Sequence, residues 1–303
     1  MKIEIINLQE DVSLISINNC KYILKKLLYC FDNSWCRGKN DFIQFLNNNG
    51  INTPITSTLS LKDGNYEIQN YVDGAKSQVF DEYIFKSLAL FHNASIKYKK
   101  SFNKNLFNID ICIKNIKLNR LLLGFKEKFY TYPIKSLQLL EISQDLKARI
   151  QQLIDNLYNN FVDKYGISDC IIHNDLTSNN YIKLENSEYV FIDFDLSILS
   201  SVYVDIGDLI FTRNFSLSDY SLVFNKYKKS IYSYLDVYNA YSEKKVDFYG
   251  LVNYAALKLL SYYFYLHCKM KPLDFSELLD VLNFATNVLK KLKTQNKLIY
   301  KNS

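Results

Sequence analysis

Residues 1–72 place branched apolar side chains in short runs that alternate with polar positions, which is the pattern of half-buried β-strands. The runs stand at 2–6, 12–17, 21–27, 54–61 and 66–72. Asn18-Asn19 lies between the second and third runs, and Asp63-Gly64 lies between the last two, so two tight hairpins are predicted. The segment 41–47 has helical apolar spacing and is followed by Asn and Gly, which predicts a short helix.

Beyond Asp73-Gly74 the apolar positions recur at helical spacing, which predicts a mostly helical second part. Helices are predicted at 78–98, at 143–165, near 245–268 and near 275–295, and short strands at 170–173, 180–184 and 189–194. The predicted fold is α+β and two-lobed. It has a small antiparallel-sheet lobe at residues 1–72 and a larger, mostly helical lobe at residues 73–303.

Composition and charge narrow the classes of function. The 37 Lys and Arg exceed the 31 Asp and Glu by 6, but the basic residues are scattered, so no nucleic-acid surface is predicted. No apolar stretch is long enough to predict a membrane span, and the first residues lack the apolar core of a signal peptide, so a cytoplasmic location is expected. The six cysteines show no C-x-x-C spacing, which favours reduced thiols over a zinc site.

The segment 171–209 carries the residues best suited to catalysis and metal binding. Asp175 follows an apolar strand, Asn180 starts the next strand, and Asp193 ends the strand that can pair with it as a hairpin. A hairpin returns the end of one strand to the beginning of its partner, so the two carboxylates and the carboxamide should converge. Such a set of hard oxygen ligands suits Mg²⁺, which prefers one or two carboxylates plus phosphate oxygens and water.

Three short motifs at fixed spacing carry a family resemblance. They are His173-Asn174-Asp175, Ile192-Asp193-Phe194-Asp195 and Asp205-Ile206-Gly207. Together they resemble the catalytic loop and metal motif of the aminoglycoside phosphotransferase and choline kinase superfamily, which has a protein-kinase-like fold. CotS-like spore-coat proteins are similar too.

The resemblance implies a role for each residue of these motifs. Asp175 would be the catalytic base, and Asn180 and Asp193 would hold Mg²⁺ against ATP or GTP. His173 would be structural. Asp205 would cap the next helix and brace the catalytic loop, and Asp195 would touch the metal shell or face solvent.

The small lobe would supply the nucleotide ligands. The strand at 21–27 resembles the strand that carries the phosphate-binding lysine, which implies Lys25, with Lys26 as the alternative. Its acidic partner on the helix would be Asp41, although Glu is more usual there. The segment 69–72 would be the hinge that binds the purine, including Gln69 and Tyr71.

The implied activity is phosphorylation of a hydroxyl on a small molecule such as an amino alcohol or aminoglycoside, with sugars and homoserine-like acceptors also open. The resemblance assigns the acceptor pocket to residues 211–303, where Tyr-rich stretches and the acids Asp274, Glu277 and Asp280 are candidates. The alternative is a kinase-fold structural protein of the CotS-like type, catalytically weak or inactive and located in the spore coat. A protein kinase is disfavoured because no D-F-G or A-P-E motif follows Asp193.

Overall fold

The structure is a computed structural model. It describes residues 3–9, 11–27, 33–62, 64–74, 81–101, 124–168, 170–214, 217–220, 222–269 and 272–301.

The N-terminal part is a five-stranded antiparallel sheet with the strand order β1-β2-β3-β5-β4. Its strands are β1 (Ile3–Gln9), β2 (Val12–Ile17), β3 (Cys20–Lys26), β4 (Thr56–Leu61) and β5 (Gly64–Asn70). Asn18 and Asn19 both have positive φ, as a two-residue hairpin turn requires, and Ile17 pairs with Cys20 across it. The second hairpin also forms, with Leu61 opposite Gly64, although Asp63 lies outside the described residues. All five predicted strands are confirmed.

Helix α1 (Asn33–Asn48) lies between β3 and β4 and contacts β4 and the next helix. It begins well before the predicted segment 41–47. The extra turns bury Trp35, Cys36 and Lys39. The prediction started too late because the apolar pattern that it used treats a lysine as a surface residue.

The C-terminal part is mostly helical, as predicted. Its helices are α2 (Tyr83–Ser101), α3 (Tyr132–Leu139), α4 (Gln144–Tyr165), α5 (Val202–Asn214), α6 (Leu217–Tyr220), α7 (Lys228–Tyr241), α8 (Phe248–Lys269) and α9 (Phe275–Lys301), with a π-helical turn at Glu127–Thr131. The predicted start of α2 at residue 78 lies outside the described residues. Among the described helices, none combines the length and the apolar character needed to cross a bilayer.

Helix α8 is the centre of this part and packs against α3, α4, α5 and α9. It contacts α5 at Gly207, where an added Cβ would lie 2.3 Å from the ring of Tyr254. Gly250 on α8 meets Tyr203 on α5 in the same way, at 2.6 Å. The two helices therefore approach through glycines that face tyrosine rings.

Two short antiparallel pairs stand between α4 and α5. Strand β6 (Cys170–Ile172) pairs with β9 (Ile198–Ser200), which was not predicted, and β7 (Tyr181–Lys183) pairs with β8 (Tyr189–Phe191), which was. Each of these strands has three residues, too few to show alternation in the sequence, and Ser197 alone separates β9 from a 3-10 turn at Phe194–Leu196. The paired strands hold the motif residues in place.

The apolar core runs through both parts. Phe42 of α1 contacts the rings of Phe91 and Phe194, which belong to the C-terminal part. Cys36 and Cys170 are buried and Cys20 is exposed, while Cys30, Cys112 and the side chain of Cys268 lie outside the described residues.

Candidate active site

The β7–β8 hairpin brings Asp193 back to Asn180. Tyr181 lies opposite Phe191, and the backbone N–H of Ile192 donates to the carbonyl of Asn180 at 3.0 Å. Asp193 then turns sharply, with φ of 64°, a conformation that favours Asn, Asp and Gly. The predicted convergence of these residues is confirmed.

Asp175 is tied to Asn180 by two hydrogen bonds. The side-chain amide of Asn180 donates to Asp175 Oδ2 at 2.7 Å and to the Asp175 carbonyl at 2.8 Å. Burial raises the pKa of Asp175, and repulsion from Asp193 and Asp208 adds to the rise, while His173 and Asn180 oppose it. Asp175 lies at the end of the hairpin, and a carboxylate with a raised proton affinity suits the role of general base.

The loop that carries Asp175 is held by Asp205. This fully buried carboxylate accepts from the backbone N–H of His173 at 2.8 Å and of Asn174 at 2.7 Å, and Nε2 of His92 lies 3.1 Å from it. Helix α5 begins at Val202, so Asp205 lies within the first turn and is not the cap residue. The bracing role is confirmed, and the capping role is wrong.

Two further contacts fix the same loop. Nε2 of His173 lies 2.8 Å from the carbonyl of Ile192, which makes the structural role of this histidine visible. Lys128 is buried in the π-helical turn, and its Nζ donates to Asn174 Oδ1 at 3.1 Å. No sequence signal marked Lys128, because its neighbours in the chain belong to a different element from the loop that it contacts.

Lys25 reaches across from the sheet to the metal motif. Its Nζ lies 2.6 Å from Asp193 Oδ1 and 2.7 Å from Asp195 Oδ2. Burial lowers the pKa of Lys25, but the carboxylates of Asp195 and Asp193 outweigh burial and raise the pKa above its ordinary value. Lys26, the alternative, points away and lies 5.5 Å from the ring of Tyr66. Strand alternation therefore selects Lys25 as the lysine that faces the site.

Asp195 is neither a solvated residue nor free for a metal in this structure. It is buried, and its second oxygen accepts from Lys39 Nζ at 2.6 Å. Lys39 also forms an ion pair with Glu67 of β5 and lies 4.9 Å from the ring of Trp35. Burial raises the pKa of Asp195, but Lys39 and Lys25 outweigh it, so the net pKa is lowered. Neither Lys39 nor Glu67 was predicted from the sequence to belong to the site.

Asp41 lies apart from Lys25. It is exposed on α1, and no ion pair between the two occurs among the described residues. Its charge acts on Tyr98 instead, whose pKa is raised to about 12, mainly by burial and then by Asp41. The ion pair with Lys25 that the resemblance assigned to Asp41 is formed by Asp195 instead.

The predicted hinge follows β5 directly. Gln69 is in the sheet, opposite Ile23 and Thr56, and Tyr71 is exposed. The backbone N–H of Asn70 donates to Ile55, and that of Tyr71 donates to Lys21. Among the described residues, the backbone N–H of Val72 is the first in the predicted hinge that donates to no backbone carbonyl.

Asn180 and Asp193 offer oxygen donors that suit Mg²⁺. No cluster of three or more His, Cys, Asp or Glu able to hold a metal occurs within the described ranges. The carboxylate of Asp193 is partly exposed. The side-chain N–H groups of Asn180 donate to Asp175, so the amide oxygen of Asn180 is the atom that can bind a cation. One carboxylate and one amide fit Mg²⁺ when nucleotide phosphates and water complete the ligand set.

On the side of the site toward α8, Asp208 and Lys258 form an ion pair. Asp208 Oδ1 accepts from Tyr254 at 2.8 Å and from Lys258 at 2.6 Å. Of the predicted acceptor acids, Asp274 accepts from the backbone N–H groups of Ser276 and Glu277 and therefore caps α9.

Solved structures with the same fold are small-molecule kinases. The ethanolamine kinase of Plasmodium vivax matches with a TM-score of 0.56 and 16% identity over 96% of this chain and 82% of that one. A microcompartment-associated aminopropanol kinase matches with a TM-score of 0.56 and 13% identity, covering 96% and 91%. The choline kinase LicA of Streptococcus pneumoniae matches with a TM-score of 0.53 and 14% identity, covering 97% and 94%. The predicted two-lobed kinase-like fold is confirmed.

The sequence profile of the ecdysteroid kinase-like family matches residues 65–239, more than half of the chain. The protein therefore belongs to the ecdysteroid kinase-like family, and its resemblance to the aminoglycoside phosphotransferase and choline kinase superfamily is confirmed. A search of curated proteins gave no match.

Proposed function

We propose that the protein is a phosphotransferase that uses Mg²⁺ and moves the γ-phosphate of ATP or GTP to a hydroxyl of a small molecule. The observation that carries the proposal is the convergence of Asp175, Asn180 and Asp193 at one end of a hairpin, with Lys25 reaching the same point from the sheet. Membership of a kinase-like family supports it.

Asp175 is the general base in this proposal. It accepts the proton of the acceptor hydroxyl as that oxygen attacks the γ-phosphorus, and the bond to the bridging oxygen breaks to release the nucleoside diphosphate. The hydrogen bond from Asn180 fixes one carboxylate oxygen of Asp175 and leaves the other for the acceptor. The raised pKa of Asp175 increases its affinity for that proton.

Lys25, Asn180 and Asp193 bind the nucleotide phosphates. Bound Mg²⁺, held by Asn180 and Asp193, supplies charge neutralisation on the phosphates. Lys25 contacts Asp193, and a nucleoside triphosphate offers its ammonium group a competing anion. The hinge at 69–72, with Gln69 and Tyr71, binds the purine, and Asp41 remains on the outer face of α1 with no part in phosphate binding.

The acceptor lies toward α5 and α8, next to Asp208 and Lys258. The relatives of this fold named above act on ethanolamine, aminopropanol and choline, and the family name points to ecdysteroids. All of these acceptors carry an alcohol that Asp175 could deprotonate. Amino alcohols and polyhydroxylated steroids are therefore tested first, with aminoglycosides and sugars after them.

The test is release of nucleoside diphosphate by purified protein. Mg-ATP or Mg-GTP is combined with separate pools of amino alcohols, polyhydroxylated steroids, aminoglycosides and sugars, with Asp175→Asn as the inactive control and Asp163→Asn, an exposed helix residue, as the matched control. Acceptor-dependent release by the wild type and Asp163→Asn alone supports the proposal. Nucleotide binding without release from any pool favours the inactive structural alternative, and absence of both overturns the proposal.

A further inference from the structure

We infer that Lys39 and Asp195 form a buried positioning pair that orients Lys25 for the nucleotide. In this arrangement the acid that fixes the phosphate-binding lysine comes from the 3-10 turn after β8, while helix α1 contributes a lysine. The inference rests on the proposed function and adds two residues to its nucleotide site.

The geometry of the Asp195 carboxylate carries the inference. Its Oδ1 lies 2.6 Å from Lys39 Nζ, and its Oδ2 lies 2.7 Å from Lys25 Nζ. Because one oxygen is fixed by Lys39, the carboxylate cannot rotate without losing an ion pair, and the other oxygen stays directed at Lys25. Lys39 thus acts on Lys25 through Asp195.

Lys39 is buried, so it is not an adaptable surface charge. Its side chain is 0% exposed and also pairs with Glu67, while Trp35 covers it from a third side. A buried ammonium costs desolvation free energy that an apolar side chain of the same volume avoids, so stability alone does not explain a lysine here. A role in orienting the neighbouring Asp195 carboxylate explains the lysine.

Asp193 cannot replace Asp195 in this role. The proposed function assigns Asp193 to Mg²⁺, so its contact with Lys25 is exchanged when the nucleotide binds. Each carboxylate oxygen of Asp195 contacts a lysine, and both contacts remain when the nucleotide binds. Lys25 then moves from Asp193 to a phosphate while Asp195 holds its other side.

Nucleotide affinity, measured by calorimetry in Mg²⁺ and again in EDTA, separates this role from direct metal binding by Asp195. The variants are Lys39→Met, Asp195→Asn and their combination, with Lys147→Met as the control, since Lys147 is a buried lysine that donates to the carbonyl of Gln138 far from the site. Each single variant should weaken nucleotide binding about tenfold, by the same factor in both buffers. The double variant should be no weaker than the singles because both break one linkage.

Three results would overturn the inference. One is a loss in Asp195→Asn that is confined to Mg²⁺, which would make Asp195 a metal ligand. Another is unchanged affinity in a folded Lys39→Met protein, and the third is additive losses in the double variant. If Lys39→Met does not fold, Lys39→Met/Glu67→Gln removes both members of the buried pair and undergoes the same titration. A wild type that binds no nucleotide overturns the proposed function itself, whereas the other results leave it intact.

Discussion

The carboxylate of Asp205 and the backbone N–H of Asn174 are joined by a 2.7 Å hydrogen bond, although 31 residues separate them in the chain. The other oxygen of Asp205 accepts from the backbone of His173. Asn174 has a φ of 67°, a left-handed conformation that Asn tolerates, and the two hydrogen bonds to Asp205 hold the loop in it. The base of the proposed reaction follows in the next position.

Replacement of Asp205 by Asn should destabilise the protein and displace the loop. One acceptor oxygen becomes an NH₂ group that faces a backbone donor at 0% exposure, which costs about 2–3 kcal/mol in the free energy of unfolding. Denaturant unfolding measures the loss. The exposed Asp163→Asn variant should stay within about 0.5 kcal/mol of the wild type, and equal stability of the two variants would contradict the bracing role.

Lys25 and Lys26 form a matched pair, since they are neighbours on β3 and face opposite sides of the sheet. Lys25→Met should weaken nucleotide binding about tenfold or more, because it removes the ammonium that lies beside Asp193 and Asp195. Lys26→Met should leave binding unchanged. The measurement is calorimetric titration with Mg-ATP and Mg-GTP, and equal losses in both variants would show that only overall charge matters.

Asp175→Asn should separate binding from turnover. The amide keeps the shape of the side chain but accepts no proton, so the rate should fall about 10²–10⁴-fold while nucleotide affinity is retained. The rate is followed as diphosphate release with the acceptor that the pools identify. Parallel losses in rate and affinity would mean that Asp175 binds the nucleotide rather than acting as a base.

Asp193→Asn should raise the concentration of Mg²⁺ that is needed for half-maximal nucleotide binding. The substitution removes the carboxylate of the proposed metal pair and leaves Asn180 alone. Titration with Mg²⁺ at fixed nucleotide measures the shift, and Asp41→Asn, an exposed acid on α1, serves as the control. An unchanged Mg²⁺ requirement would place the cation elsewhere.

Gly207→Ala tests the contact between α5 and α8. The added methyl group would meet the ring of Tyr254 at 2.3 Å, so overpacking should cost about 1–3 kcal/mol in unfolding free energy. The second substitution Tyr254→Ala makes room for the methyl group, and Gly207→Ala should then cost less than it does alone. Equal costs in the two backgrounds would rule out the ring as the cause.

The sequence predicts those parts of this protein that depend on local pattern. The strands of the sheet follow alternation, the turn at Asn18-Asn19 follows the tolerance of Asn for positive φ, and a hairpin alone is enough to bring Asp193 to Asn180. Strand alternation also distinguishes Lys25 from Lys26. Each of these depends on residues that lie close together in the chain.

The parts that could not be predicted depend on contacts between distant segments. Lys39 and Asp195 are 156 residues apart, and nothing in the neighbourhood of Lys39 shows that it is buried. Lys128 reaches Asn174 from a different element in the same way. The expected partner of Lys25, Asp41, was inferred from its position in a helix, but the ion pairs depend on which turn of α1 faces the β3–β5 sheet.

The motif residues from His173 to Asp205 lie in one uninterrupted segment, which folds over the end of its own hairpin. Lys25 and Glu67 come from the sheet and Lys39 comes from α1, and in the part of the chain that the structure describes the helices after residue 211 supply no contact to Asp175 or Asn180. In the proposed function, the residues that handle phosphate therefore depend little on the last helices. Substitutions in those helices are expected to change the acceptor while the phosphate chemistry stays the same.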